Sequence, residues 1–460
     1  MSNESAQLGR GAQRQGRVRA EKYSRVSFWP QTCSSELMPL KFICRLDPES
    51  LPETTDPDLE LNYVDIGNVA LQEGIQAHER MRFADAPSRA RKPVREGDII
   101  VSTVRTYLKA IAGIDFDAKG WVVSTGFAVL RAMPGIQNRF LLRIVQSNPF
   151  VESVVSSSNG VSYPAINPSR LKNLLIPIPE FKIQKTITDI LDRETTCIDE
   201  LIEKKQRLVR LVDEKRSALI TAAVTGVFNV KTKEIITCGR RSSSTASFPI
   251  KVLFDICRNS VEPSSFGDED VFHYSLPNWH EIGDGRIEAA NQIESLKLLI
   301  SGGEILVSKL NPEKGAVVHA RSHTLPVVAS IEFIALRPRK IYGRYGYWLM
   351  LSAPIRAELS ASVESVTNSH KRARVDRFLS LYVDVPDIPY QKAIADFLDR
   401  ETARIEVLKA KTLDSINRLR EYRSALITAA VTGQIDVATW RKQGQTDRNL
   451  DAIRTAYSAG

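Results

Sequence analysis

The chain has 460 residues, 43% of them hydrophobic and 25% charged, with a formal net charge of +9. This is the composition of globular protein with room for two to four domains, not of a disordered or collagenous chain. The modest positive excess attracts a phosphate backbone without specifying one.

In chain order, residues 1–24 are polar and basic (Arg10, Arg14, Arg17, Arg19) and read as a disordered basic tail. Residues 25–180 read as a globular domain with short β-rich runs, DIIVSTV and GWVVSTGFAVLRA, between Gly/Pro-bounded turns. Arg105, Thr106 and Lys109 follow the first run. Ser158, Asn159, Ser162 and Arg170 lie in SSSNGVSYPAINPSR, ahead of the next element. Residues 181–230 carry a long helix. Ile187, Leu191, Ile198, Leu201, Leu208, Val212 and Leu219 recur at helical spacing, after Pro179 and up to Gly226, which suits a left-handed C′ position. Residues 231–247, with RRSSSTAS, read as a linker.

A second domain, residues 248–387, has runs GEILVSKL and SIEFIALRPR, with Lys309, Asn311 and Lys314 after the first. His370, Lys371, Arg372, Arg374 and Arg377 crowd into TNSHKRARVDR. Residues 388–437 carry a second long helix, with Ile394, Leu398, Ile405, Leu408, Leu419 and Leu426 on its stripe, after Pro389 and up to Gly433. Residues 438–460 form a tail with no counterpart in the first half.

The two helical segments are one repeat. Residues 184–226 align without gaps on residues 391–433, with 24 identities over 43 positions concentrated at the two ends. Upstream, Glu96-Gly97-Asp98-Ile99 matches Gly302-Gly303-Glu304-Ile305, and Phe127, Leu130 and Arg131 match Phe333, Leu336 and Arg337. The expected fold is α+β: two similar mixed α/β domains joined by two long helices that pair as an antiparallel coiled coil, with a pseudo-twofold internal repeat. One apolar stripe cannot be buried alone, whereas two near-identical stripes bury each other. The matched ends read as docking sites and the divergent middle as a spacer. Arg and Lys in the loops suit phosphates and guanine edges, and Asn, Ser and Thr suit adenine or phosphate oxygens.

Catalytic signatures are missing. The chain has no GxxxxGK[ST] loop and no glycine-rich cofactor loop. Asn148-Pro149-Phe150 brushes against an amino-methyltransferase motif but lacks its second proline, and reads as a turn. The six histidines are scattered, and the five cysteines (Cys33, Cys44, Cys197, Cys238, Cys257) include no CxxC pair, so no metal and no disulfide framework are expected. With no signal peptide and no 18-residue apolar run, the expected location is the cytoplasm.

The runs ILDRETTCID with ALITAAVTGVFNV, and FLDRETARIE with ALITAAVTGQIDV, resemble the two helical repeat regions of specificity subunits of Type I restriction–modification systems. The two globular domains resemble that family's target-recognition domains in layout. The second half departs by reading VDVP where the first has IPIP. The resemblance implies a non-catalytic, sequence-specific subunit for double-stranded DNA, each domain reading one half-site of a bipartite target. It implies two methyltransferase (modification) subunits docked on the helices, carrying S-adenosylmethionine, and restriction/translocation subunits beyond them. The subunit itself would hold no cofactor. A coiled-coil scaffold with duplicated protein-binding domains is the alternative.

Overall fold

A computed structural model describes residues 29, 35–160, 163–232, 234–235, 245–367 and 370–435, without the side chains of residues 234–235 and 364–370. The two expected tails, most of the expected linker and Ser162 lie outside the described residues. Contacts divide the chain into two units, residues 1–206 with 413–460, and residues 207–412. Each long helix therefore gives one half to each unit.

In the first unit, one four-stranded sheet runs in the order Glu79–Arg82, Glu60–Val64, Trp121–Ser124, Ala90–Pro93. The other runs Cys44–Leu46, Phe127–Ala132, Ile99–Ser102, Ile111–Gly113. The run IIVS is apolar without alternation because all four residues are buried, and such strands are covered on both faces. The cover on one face is the helix Asn138–Gln146, whose Phe140, Leu141 and Ile144 are buried. Ahead of the strand, buried Asp98 accepts two hydrogen bonds from Arg131, both 2.7 Å long.

In the second unit the corresponding sheet runs Phe254–Ile256, Phe333–Pro338, Ile305–Ser308, Val317–His319. The companion sheet has five strands, in the order Ser260–Val261, Lys297–Ile300, Val327–Ser330, Asp270–Tyr274, Arg286–Ala289. Ile99 faces Gly113 as Ile305 faces His319, so the repeat holds residue by residue. Glu304 takes the place of Asp98, bound by Arg337 at 2.9 Å.

The long helices are Phe181–Val224 and Ile388–Val431. Both start three residues ahead of the matched Gln. Pro389 falls inside the second helix, in the first turn, where a missing N–H leaves no bond unmade. Each ends as expected in a left-handed glycine, Gly226 at φ 74° and Gly433 at φ 73°. The helices pair antiparallel: Asp213 meets Lys409 at 2.8 Å and, one turn on, Arg216 meets Glu406 at 3.1 Å. In the first unit Arg423 holds Asp199 at 2.9 Å. Ile187, Leu191, Ile198, Ile394, Leu398, Leu419 and Leu426 are buried, and Leu201, Leu219 and Ile405 are half-buried.

Two residues of the expected stripe lie outside it. Leu208 is 41% exposed and Leu408 is 46% exposed, while Val212, Thr412, Ser415 and Ile416 are buried nearby. An α-helix drifts by about 20° per heptad against a strict seven-residue repeat, so a stripe fixed at the ends turns outward in the middle.

The matched ends have a local explanation. Buried Gln184 accepts from the backbone N–H of Gln137 at 3.0 Å and donates to the carbonyl of Pro179 at 2.9 Å. Gln391 repeats both bonds with Tyr342 and Pro386, at 2.8 and 2.7 Å. The Asp of the DRET run fastens a domain helix to the long one. Asp192 binds Arg139 and Arg143, and Asp399 binds Arg344 and the Trp348 indole N–H. The threonines of the ITAAV runs cap the next domain helix. Thr428 accepts from the Asn148 N–H, and Thr221 from the Ala353 N–H, both at 3.1 Å. Each domain is thus seated on the N-terminal end of one long helix and the C-terminal end of the other. Asn148-Pro149-Phe150, expected as a turn, is the first turn of the helix Asn148–Ser156, and its exposed asparagine joins this contact through Ser424 at 3.0 Å.

Candidate nucleic-acid interface

The two loop clusters singled out in each half come together in space. In the first unit the strand Ile99–Ser102 leads into a 3-10 turn, Thr106–Leu108, with Arg105 (φ 50°) before it and Lys109 (φ 52°) after it in the left-handed region. A non-glycine residue there costs about 1–2 kcal/mol and persists only where its surroundings enforce it. The Thr106 hydroxyl bonds that of Ser158 at 2.9 Å, Ser158 donates to the Val154 carbonyl at 2.8 Å, and Ile166 N–H donates to Thr103 O at 2.8 Å. The loop is thereby buttoned to the segment that precedes the long helix.

This bonding overturns one expectation. Thr106 is only 2% exposed, and the hydroxyls of Thr106 and Ser158 are spent on each other, so they hold the loop and do not face a ligand. Arg105, Lys109, Asn159 and Arg170 are exposed. Arg105 lies over the Tyr163 ring at 4.9 Å, a cation–π contact that pre-orients the guanidinium. Tyr163 itself is 66% exposed. Arg170 donates to Ser157 O at 3.1 Å and to the Asn159 carboxamide at 3.2 Å, which fixes the neighbouring turn. Tyr107 and Leu108 form an exposed apolar tip between the two cations.

The second unit builds the same loop. The 3-10 turn Pro312–Lys314 stands between Asn311 (φ 47°) and Gly315 (φ 66°). Among the described residues four non-glycine residues have positive φ, and three of them, Arg105, Lys109 and Asn311, flank these two turns. The loop is again sewn to the segment before the long helix, here the hairpin Val363–Thr367 with His370–Ala373. Asn311 N–H donates to Lys371 O at 2.7 Å, Lys371 N–H to the Asn311 carboxamide oxygen at 3.2 Å, and Ala373 N–H to Lys309 O at 2.8 Å. Lys314, Arg372, Arg374 and Arg377 are exposed, and Lys309 and Lys371 half-buried. His370 lends its backbone to the hairpin. Asn311 is half-buried with its carbonyl engaged, so it stabilises the turn as the Thr106–Ser158 pair does. Arg372 is paired with Glu332 at 2.6 Å, which reduces the charge it offers.

Behind the loops, the repeated acid–arginine pairs tie together the two inner strands of each corresponding sheet. Hydrogen bonding to Asp98 holds Arg131 more firmly protonated than a free arginine, and the Arg131 guanidinium, with that of Arg95, draws the Glu49 carboxyl below its usual range. Burial pushes the Cys44 thiol up to about 12, so it stays a neutral core group. Among the described residues no group of His, Cys, Asp or Glu is arranged to hold a metal ion, and no helix is long and apolar enough to cross a membrane.

Sequence reasoning found the loops but not Tyr163, whose place in YPAINPSR carries no charge signal. It also missed Arg356, which packs against Gly315 from the helix Ala353–Ala361.

Comparison with known proteins agrees with this architecture. Residues 88–210 match the family model described as Type I restriction modification DNA specificity domain. The chain is 28% identical over 138 residues to the Type I restriction enzyme HindI specificity subunit of Haemophilus influenzae, a match that covers 29% of each protein. It is 20% identical over 344 residues to the StySPI specificity subunit of Salmonella potsdam, covering 72% of this chain and 71% of that one. A solved chain from work on complex assembly and conformational transition of the type I R-M system superposes with a TM-score of 0.63 at 22% identity. That superposition covers 88% of this chain and 99% of the other. The fold is shared with that chain. Residues 88–210 are thus similar to the Type I restriction–modification DNA specificity domain, and as a whole the chain resembles that family's specificity subunits.

Proposed function

We propose that the chain is a non-catalytic, cytoplasmic subunit that reads a bipartite sequence in double-stranded DNA, one half-site per unit. The observation that carries this reading is the same left-handed, cation-bearing loop at the same register in both units, buttoned to the segment before each long helix. A fixed loop shape held in duplicate at an exposed, basic place suits a recognition loop on a rigid scaffold. The loops differ in side chains while their frames agree, so two different half-sites would be read by one scaffold.

The long helices would leave a fixed number of base pairs unread between the half-sites. Their surface would seat two methyltransferase subunits, which carry S-adenosylmethionine, and restriction/translocation subunits would complete the assembly. The exposed mid-helix residues Leu208 and Leu408 suit such a contact. Mapping methylated bases in the host genome with and without the gene tests this directly. Deletion is expected to erase one bipartite motif with a constant gap. An unchanged methylation map would reject the proposal.

A further inference from the structure

We propose that Arg356 contacts a DNA backbone phosphate, supplying in the second unit the cation that Lys109 supplies in the first. This rests on the DNA-reading function above and adds a residue to it.

Lys109 and Gly315 are the same position. Each follows the 3-10 turn in the left-handed region (φ 52°, ψ 38° and φ 66°, ψ 34°). Each donates its N–H to the first residue of the turn, Thr106 O at 3.1 Å and Pro312 O at 3.0 Å. Val151 and Arg356 are likewise the same position, the fourth residue of the helices Asn148–Ser156 and Ala353–Ala361. Their N–H groups donate to the capping serines, Ser147 and Ser352, at 3.1 Å in both. The first unit thus has a cation on the loop and a buried valine beneath it. In the second the loop residue is glycine and the helix beneath carries the cation.

The two changes are coupled. A Cβ on Gly315 would lie 2.8 Å from Nε, 2.9 Å from Cζ and 3.1 Å from Nη2 of Arg356. The guanidinium therefore crosses the place from which a side chain would leave the loop. Backbone conformation alone does not demand glycine here, since Lys109 adopts the same one. Arg356 demands it.

Arg356 also lacks an anion. Its Nε is buried with no hydrogen-bond partner, and among the described residues it forms no ion pair. Arg356 as a whole is half-buried, so its guanidinium remains open to a forked acceptor, and a phosphate provides one. Lys314, the chain neighbour of Gly315, is exposed, so the turn offers a phosphate a second cation.

The test uses the full-length protein, isolated with the subunits that copurify with it, and a mixed-sequence DNA duplex titrated across a salt series. Arg356→Val is expected to weaken binding alike for all sequences and to lower the slope of log affinity against log salt by about 1. Adding Gly315→Lys, which recreates the first unit's pair, is expected to restore that slope. Arg356→Gln, neutral and close in shape, should lose the same slope and serves if the valine variant fails to fold. Salt-dependent binding by the native protein with an unchanged slope in the Arg356 variants would overturn this proposal alone. No salt-dependent binding by the native protein would overturn the DNA-reading function beneath it.

Discussion

Arg131→Ala is expected to lower the stability of the first unit by about 3 kcal/mol. Asp98 is 1% exposed, and both its carboxylate oxygens receive Arg131 at 2.7 Å. Truncating the arginine leaves a buried carboxylate with the Arg95 N–H at 2.9 Å as its remaining donor. Breaking a buried pair typically costs about 3–5 kcal/mol, and the lower figure applies because the Arg131 side chain is 25% exposed. The matching Arg337→Ala should cost less, since Arg337 is 54% exposed and one buried Glu304 oxygen already lacks a partner. Denaturant titration of the full chain checks both. An Arg131→Ala loss below about 1 kcal/mol would mean that water reaches Asp98.

Arg105→Ala is expected to weaken binding to the cognate duplex by roughly 1–3 kcal/mol, or about 5- to 150-fold, and to relax sequence choice in one half-site only. The residue is exposed, held over Tyr163 and carried on a backbone that its neighbours force into the left-handed region. Tyr163→Ala should produce a smaller loss in the same half-site, because it frees the guanidinium without removing it. Arg374→Ala and Arg377→Ala, on the other unit, should affect the other half-site if they read bases. Affinity and methylation pattern unchanged in Arg105→Ala would remove it from the reading surface.

Much of this architecture was legible in the amino-acid pattern. The long helices are visible because their apolar residues keep helical spacing and recur in a second copy, and Gly226 and Gly433 mark their ends. The pairing middle was not legible. Leu208 and Leu408 look like stripe residues, but the drift of a straight helix turns them outward, and Thr412 and Ser415 take the buried places.

In the loops, charge pointed to the right segments and residue type misled within them. Thr106 and Ser158 resemble polar readers, yet short hydroxyl side chains in tight turns bond their own surroundings first. The reason for the near-identity of the helix ends also needed three dimensions. Gln184, Asp192 and Thr428 bind groups of the first domain, and Gln391, Asp399 and Thr221 bind the equivalent groups of the second. The repeat is retained where two domains of one design meet it. Arg356 gave no sequence signal because its meaning depends on Gly315, with which no local pattern links it.

Each unit is proposed to read its own half-site. Replacing residues 25–180 by the corresponding domain of a relative with a different target, then mapping methylated bases in the host, tests it most directly. The expected result is a new bipartite motif in which one half has changed while the other half and the gap are kept. A motif altered in both halves, or not altered at all, would contradict modular reading.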